Sequence, residues 1–142
     1  MHILSARLLI ASALLLAQPV FGQSSLYIAS SKAQGAPFDL VVTETKREPN
    51  KSFLSVPGFH KRTAPGSRWL MCAYTDLAVK RGFSHWIVVY PPENSEVLVV
   101  GFSNSLTASV KDLLGEDFIK ERTLGESVVP VETFFPMCGM RH

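Results

Sequence analysis

Only two of the 142 residues are cysteine, Cys72 and Cys138, and neither follows the apolar run near the N-terminus. A bacterial lipid anchor through an N-terminal cysteine is therefore not expected. With no paired arginines ahead of the run, the general secretory route is expected rather than the twin-arginine one. No second apolar stretch approaches the roughly 20 residues that a membrane-spanning helix needs. The chain has no CxxC pair, no Gly-rich phosphate loop and no HExxH, and no two carboxylates stand at a diagnostic spacing. Charge is also sparse and balanced, with 14 Lys+Arg against 12 Asp+Glu. Such a balance argues against a nucleic-acid partner.

What the chain does have is a secretory pattern at its start. Arg7 supplies positive charge, Leu8–Ala17 is apolar, and Val20-Phe21-Gly22 fits the positions ahead of a cleavage site. The reading predicts a signal peptide over residues 1–22, general secretory export, and a single domain over 23–142 that is periplasmic or secreted. Without Arg7 that domain carries 13 Lys+Arg against 12 Asp+Glu, and 120 residues are enough for one self-sufficient core. In an oxidising compartment two lone cysteines become a candidate disulfide.

Periodicity predicts the elements. Leu26–Ala29 is a short apolar patch that suits an added edge strand or a loose end. Phe38–Thr45 reads as a strand. Lys46–Gly66, with three prolines and two glycines, reads as a long basic loop. Ser67–Arg81 reads as a helix, with Ser67 as N-cap, Gly82 just past its end, and Leu70, Ala73, Tyr74 and Leu77 as its apolar stripe. Cys72 and Val79 form a second strip on the opposite side, which predicts that something covers it. Phe83–Tyr90 and Glu96–Phe102 read as a hairpin, with at least one strand buried on both faces. Ser103 or Ser105 is expected to cap a second helix carrying Leu106, Val110, Leu113 and Leu114, with Phe118 and Ile119 continuing its face. Ser127–Phe135 reads as an edge strand because it contains Pro130, and Pro136–His142 as a tail. The order βαββαβ predicts an α+β, ferredoxin-like sandwich with two helices on one face of an antiparallel sheet.

Four constellations carry candidate chemistry. Cys72 and Cys138 are expected to pair, tying the tail over the outer face of the first helix. Lys61, Arg62 and Arg68, within a basic stretch over Lys46–Arg68, are candidates for binding an anionic partner such as an envelope protein, a glycan or an anionic surface. Cys138, Met140 and His142 offer thiolate, thioether and imidazole, a set that suits Cu(I), so copper is the alternative cofactor. The upstream His60 and His85 stand in no diagnostic context, and His85 reads as a satisfied or exposed strand residue. Ser103, in Gly101-Phe102-Ser103-Asn104-Ser105, sits at a strand-to-helix turn like a nucleophile. Asp112 or Asp117 would be its orienter and His142 its base. Ser105 stands where the second glycine of that motif belongs, and helix capping explains the same serines. Trp69, Phe83, Trp86 and Tyr90 are expected to belong to the core.

The stretch Leu70–Val89, with Arg81-Gly82-Phe83 and Trp86 at its centre, resembles a unit of small bacterial envelope proteins of unknown function. In those proteins a helix ends in a Lys/Arg-Gly-aromatic turn and feeds a strand. The resemblance implies an envelope address and transfers no catalytic residue. Together these features predict a small exported, non-catalytic binding or scaffolding domain. A periplasmic copper-handling protein and a serine hydrolase acting through Ser103 are the alternatives.

Overall fold

The computed structural model of the chain describes residues 25–105, 107–115 and 128–140. The expected leader, Phe118 and Ile119 lie outside these residues. Six strands form one antiparallel sheet: β1 (Ile28–Ser30), β2 (Val41–Glu48), β3 (Lys51–Ser55), β4 (His85–Val89), β5 (Val97–Ser103) and β6 (Val129–Pro130). Their spatial order is β1-β2-β3-β5-β4-β6. Among the described residues three α-helices accompany them: α1 (Ala64–Lys80), α2 (Val110–Leu114) and α3 (Phe135–Cys138).

The α+β class and the antiparallel sheet are as the sequence indicates, but the ferredoxin-like order is not what the strands adopt. That order would place β2 directly beside β5. Here β3 lies between them, antiparallel to both. The last strand, β6, pairs with β4 on the far edge. The extra strand comes from within the expected loop. Lys51–Ser55 alternates its burial, with Ser52 and Leu54 inside. Pro49 and Pro57 sit just outside its ends, so the prolines bound the strand without costing the ladder a donor. The preceding strand begins three residues later than expected and runs on to Glu48. Of the expected loop, only Val56–Thr63 connects β3 to α1, and it contains a 3-10 turn at Phe59–Lys61.

Helix α1 also starts earlier than Ser67. Thr63 is its N-cap, its hydroxyl accepting from the Gly66 amide at 3.3 Å, and Pro65 falls in the first turn, where a missing N–H costs nothing. The far end matches the expected glycine stop. Gly82 adopts φ +81°, its amide donates to Val79, and the Phe83 amide donates to Ala78, closing a Schellman motif.

Because strand side chains alternate, the central strands feed two cores. Val42, Leu54, Trp86, Val88, Leu98, Val100 and Phe102 face α1, which buries Leu70, Ala73, Tyr74, Leu77 and Ala78 against them. Ile87, Val89 and Val99 face the other way and pack with Leu114 of α2. The two helices therefore cover opposite faces, which corrects the one-face expectation. β4 is buried along its whole length and β5 along all but its first residue. Gly101 makes the close approach of α2 possible, since a Cβ there would lie 3.1 Å from a Leu114 methyl. Ser109 caps α2 through a reciprocal capping box with Asp112, so neither Ser103 nor Ser105 does so.

The expected last strand shrinks to Val129–Pro130, at the edge as Pro130 suggests. The chain then turns in a 3-10 segment at Val131–Thr133 and enters α3. Val131 is buried and Phe134 stacks on Trp86 with ring centroids 5.5 Å apart. Cys138 joins Cys72 in a disulfide, with Cα atoms 5.5 Å apart across 66 residues of sequence. The outer strip of α1 is covered in part: α3 reaches Cys72, whereas Val79 stays 46% exposed.

Candidate functional site

The basic stretch resolves into paired and unpaired cations. Arg47 forms an ion pair with Glu44, and Lys46 and Lys51 both approach Glu48, at 3.3 and 3.2 Å. Lys61 and Arg68 are exposed and have no carboxylate partner among the described residues. Arg62 is half-buried, with its guanidinium 3.8 Å from the Phe59 ring centroid and donating to the Phe59 carbonyl at 2.7 Å. It therefore holds the connection in shape as well as contributing charge. Lys61 and Arg62 line a cleft of about 210 Å³ with Gly58, Thr63, Gly66, Phe38, Asp39 and Leu40. The first turn of α1 forms one wall, so its partial positive charge adds to that of the two cations. Asp39 is the acid of the cleft. Arg68 is on the next turn and does not line it.

A second cleft, of about 240 Å³, runs beside the disulfide and is lined by Tyr27, Gln34, Trp69, Cys72, Ala73, Asp76, Cys138 and Met140. The Trp69 indole donates to Gln34 at 2.8 Å, and Asp76 accepts from the Tyr27 hydroxyl at 3.0 Å and from Lys80 at 2.8 Å. Burial, reinforced by the Asp76 carboxylate, pushes the Tyr27 hydroxyl well above its usual range. Cys138 and Met140 do share this cleft, but the Cys138 sulfur is bonded to Cys72. The thiolate that soft-metal ligation needs is therefore consumed in this form. His142 lies outside the described residues.

Ser103 ends β5 and is buried, with its hydroxyl accepting from the Ser105 amide at 2.9 Å. Asp112 is occupied in the α2 capping box, and Asp117 and His142 lie outside the described residues. The expected triad is thus not assembled among the described residues. The residue opposite Ser103 is instead His85. His85 is buried, its Nδ1 is 2.7 Å from the Ser84 hydroxyl, and its Nε2 has no partner among the described residues. It is neither exposed nor fully satisfied, contrary to expectation. Trp86 is wholly buried, its indole donating to Thr75 at 3.0 Å, while Trp69, Phe83 and Tyr90 pack on the rim of the same core.

The sequence reading missed a buried polar network between the sheet and α1. Glu44, 1% exposed, accepts from Arg47 through both carboxylate oxygens, from Ser52 at 2.6 Å and from the Tyr27 amide at 2.8 Å. Burial alone would raise this carboxyl, but the four donors outweigh it and hold Glu44 down at about 2. Arg81 lies next to it, donating to Ser52 and to the carbonyls of Glu48, Pro49 and Lys51. Its guanidinium sits 4.9 Å from the Phe102 ring centroid. Every charge in the network is spent on the fold.

No helix among the described residues is long and apolar enough to cross a membrane. The intramolecular disulfide fits an oxidising environment of the kind met on export. Comparison with protein-family models, curated proteins and solved structures finds no match to the chain.

Proposed function

We propose that this chain is an exported binding domain, periplasmic or secreted, that engages an anionic envelope partner without catalysis. One observation carries the reading. Lys61, in the turn before α1, and Arg68, within the helix, are exposed with no carboxylate partner among the described residues, and Lys61 lines a cleft walled by Arg62 and the first helical turn. Unpaired cations next to the positive end of a helix attract carboxylate, phosphate or sulfate groups through charge. The resemblance of Leu70–Val89 to small envelope proteins supports the same address. The test is cosedimentation with phosphatidylglycerol vesicles and retention on a sulfated-glycan column. The wild-type chain is compared with Lys61→Gln/Arg68→Gln, whose exposed substitutions leave the fold intact. Salt-sensitive binding by the wild type and its loss in the double variant support the proposal. Equal retention of both chains removes this surface from consideration.

A second reading follows from the disulfide cleft. Reduction would free two thiols beside the Met140 thioether, a soft set suited to Cu(I). Titrating Cu(I) into phosphine-reduced protein, with and without Met140→Leu, tests it. A stoichiometric site weakened by the variant supports it, and the absence of binding sinks it.

A further inference from the structure

The two edges of the sheet differ. On the β6 side, the edge strand is two residues long and includes Pro130, which has no N–H to donate, and the rest of β4, Ile87–Val89, is buried. The other edge is stepped. Along Thr45–Glu48 it is disrupted by a bulge and carries Lys46, Arg47 and Glu48, two devices that discourage strand addition. Only the step formed by β1 is regular, and Ser25–Ser31 holds no charged residue and no proline. It also carries two exposed apolar side chains, Leu26 at 46% and Ile28 at 68%.

The ladder decides which backbone groups β1 leaves open. The Glu44 amide donates to the Tyr27 carbonyl and the Ser31 amide to the Leu40 carbonyl. Residues 27, 29 and 31 therefore turn their polar groups inward, and antiparallel alternation turns those of Leu26, Ile28 and Ser30 outward. The Ser30 carbonyl is taken by the Gln34 amide. Among the described residues this leaves open the N–H and C=O of Ile28, the N–H of Ser30, and the C=O and N–H of Leu26.

We propose that β1 is a self-association edge, pairing antiparallel with β1 of a second copy about a two-fold axis through Ile28. Two copies of Ile28 then exchange both their hydrogen bonds. Each Ser30 amide meets the partner's Leu26 carbonyl, so every open group except the Leu26 amide finds a complement. The Ile28 side chains face each other across the axis, and no like charges are opposed within the strand. The adjoining groove of about 580 Å³ contains two cations, Arg47 and Lys80, but these are paired with Glu44 and Asp76. Because the β6 edge is closed by Pro130, addition stops at two copies, an isologous dimer with one continuous sheet. A short strand pair is a small interface, below the roughly 1,000 Å² of a tight complex, so the dimer is in exchange with monomer.

Sedimentation equilibrium of the protein purified after export tests this, over concentrations from about 10 to about 500 micromolar. The expected result is a mass that rises from one chain toward two. Ile28→Lys, at an exposed position, places like charges face to face and holds the chain monomeric. Val97→Lys, at another exposed apolar site, leaves the association unchanged. An equimolar mixture of Ile28→Lys and Ile28→Glu restores association through opposite charges at the axis. A wild-type chain that stays monomeric throughout overturns the proposal and leaves the edge to an extended peptide of another protein. A dimer indifferent to Ile28→Lys also overturns it, by placing the contact elsewhere. Neither result depends on the cation-lined cleft.

Discussion

Glu44 and Arg47 lie three residues apart on one strand, yet both side chains are on the face that α1 covers, with Arg47 Nη2 2.6 Å from Glu44 Oε2. In a regular strand an odd spacing sends two side chains to opposite faces. Here the pairing with β3 runs Glu44↔Leu54 and then Lys46↔Phe53, leaving Thr45 unpaired. That bulge shifts the alternation by one residue and brings Arg47 over Glu44. A carboxylate under a helix would otherwise be an uncompensated buried charge, so the bulge and the ion pair depend on each other.

Glu44→Gln removes the charge that Arg47 is positioned to meet. The expected cost is about 2–3 kcal/mol, read as a lower urea midpoint at neutral pH. The pH dependence has a definite sign. Glu44 ionises at about 2 in the folded chain against an ordinary value of 4.5. The stability it contributes is therefore fully present above pH 4.5 and lost as pH falls through about 2. Between those limits Glu44→Gln should unfold with a visibly shallower pH dependence. Parallel curves for the two chains would show that Glu44 is not the group responsible.

Arg81 connects the end of α1 to the turn between β2 and β3 through donors to Glu48, Pro49 and Lys51 carbonyls and to Ser52. Arg81→Met keeps much of the apolar stem over Phe102 but leaves those acceptors unmet. It should cost about 2 kcal/mol and speed amide exchange in β3 before β4. Arg81→Lys should recover only part of this, because a point charge cannot reproduce the planar fork. Unchanged exchange in β3 would count against the link.

Opening the Cys72–Cys138 bond should cost roughly 4 kcal/mol on the chain-entropy account for a loop of this length. Unfolding with and without reductant measures it. Mass spectrometry of the unreduced protein should find no free thiol. Because Val131 and Phe134 also hold the tail to the Trp86 core, reduction should lower the midpoint without releasing β6. Loss of the Phe134–Trp86 contact on reduction alone would mean that the disulfide holds the tail unaided.

Gly101→Val should destabilise by about 1–3 kcal/mol, since even the first added carbon would meet Leu114 at 3.1 Å and Ile87 at 3.4 Å. Gly101→Ala should cost less, because the Leu114 methyl can shift by a few tenths of an ångström. Thermal unfolding of the pair checks the order, and equal stability of wild type and Gly101→Val would refute the close approach of α2.

How far the fold could be read varied with how local its causes are. The β4–β5 hairpin and the Gly82 stop come from continuous apolar runs and a left-handed position, and both emerge within a residue or two of expectation. β3 does not, because its five residues carry no strong apolar run and three prolines stand nearby. The prolines turn out to mark its boundaries and the first turn of α1. The candidate cations Lys61 and Arg68 were legible by type, but which basic residues are left without partners was not. Pairing of Lys46, Arg47 and Lys51 depends on where the β2–β3 hairpin brings Glu44 and Glu48.

The sequence by itself determined the α+β class and the last strand's edge position through Pro130, and it pointed to a disulfide between its two lone cysteines. These follow from side-chain periodicity, backbone donors and redox chemistry, none of which needs distant contacts. Tertiary structure alone decided that β3 separates β2 from β5, that the helices cover opposite faces, and that Glu44 is buried with Arg47. Each of those depends on register between strands, and a single unpaired residue at Thr45 is enough to change which side chains share a face.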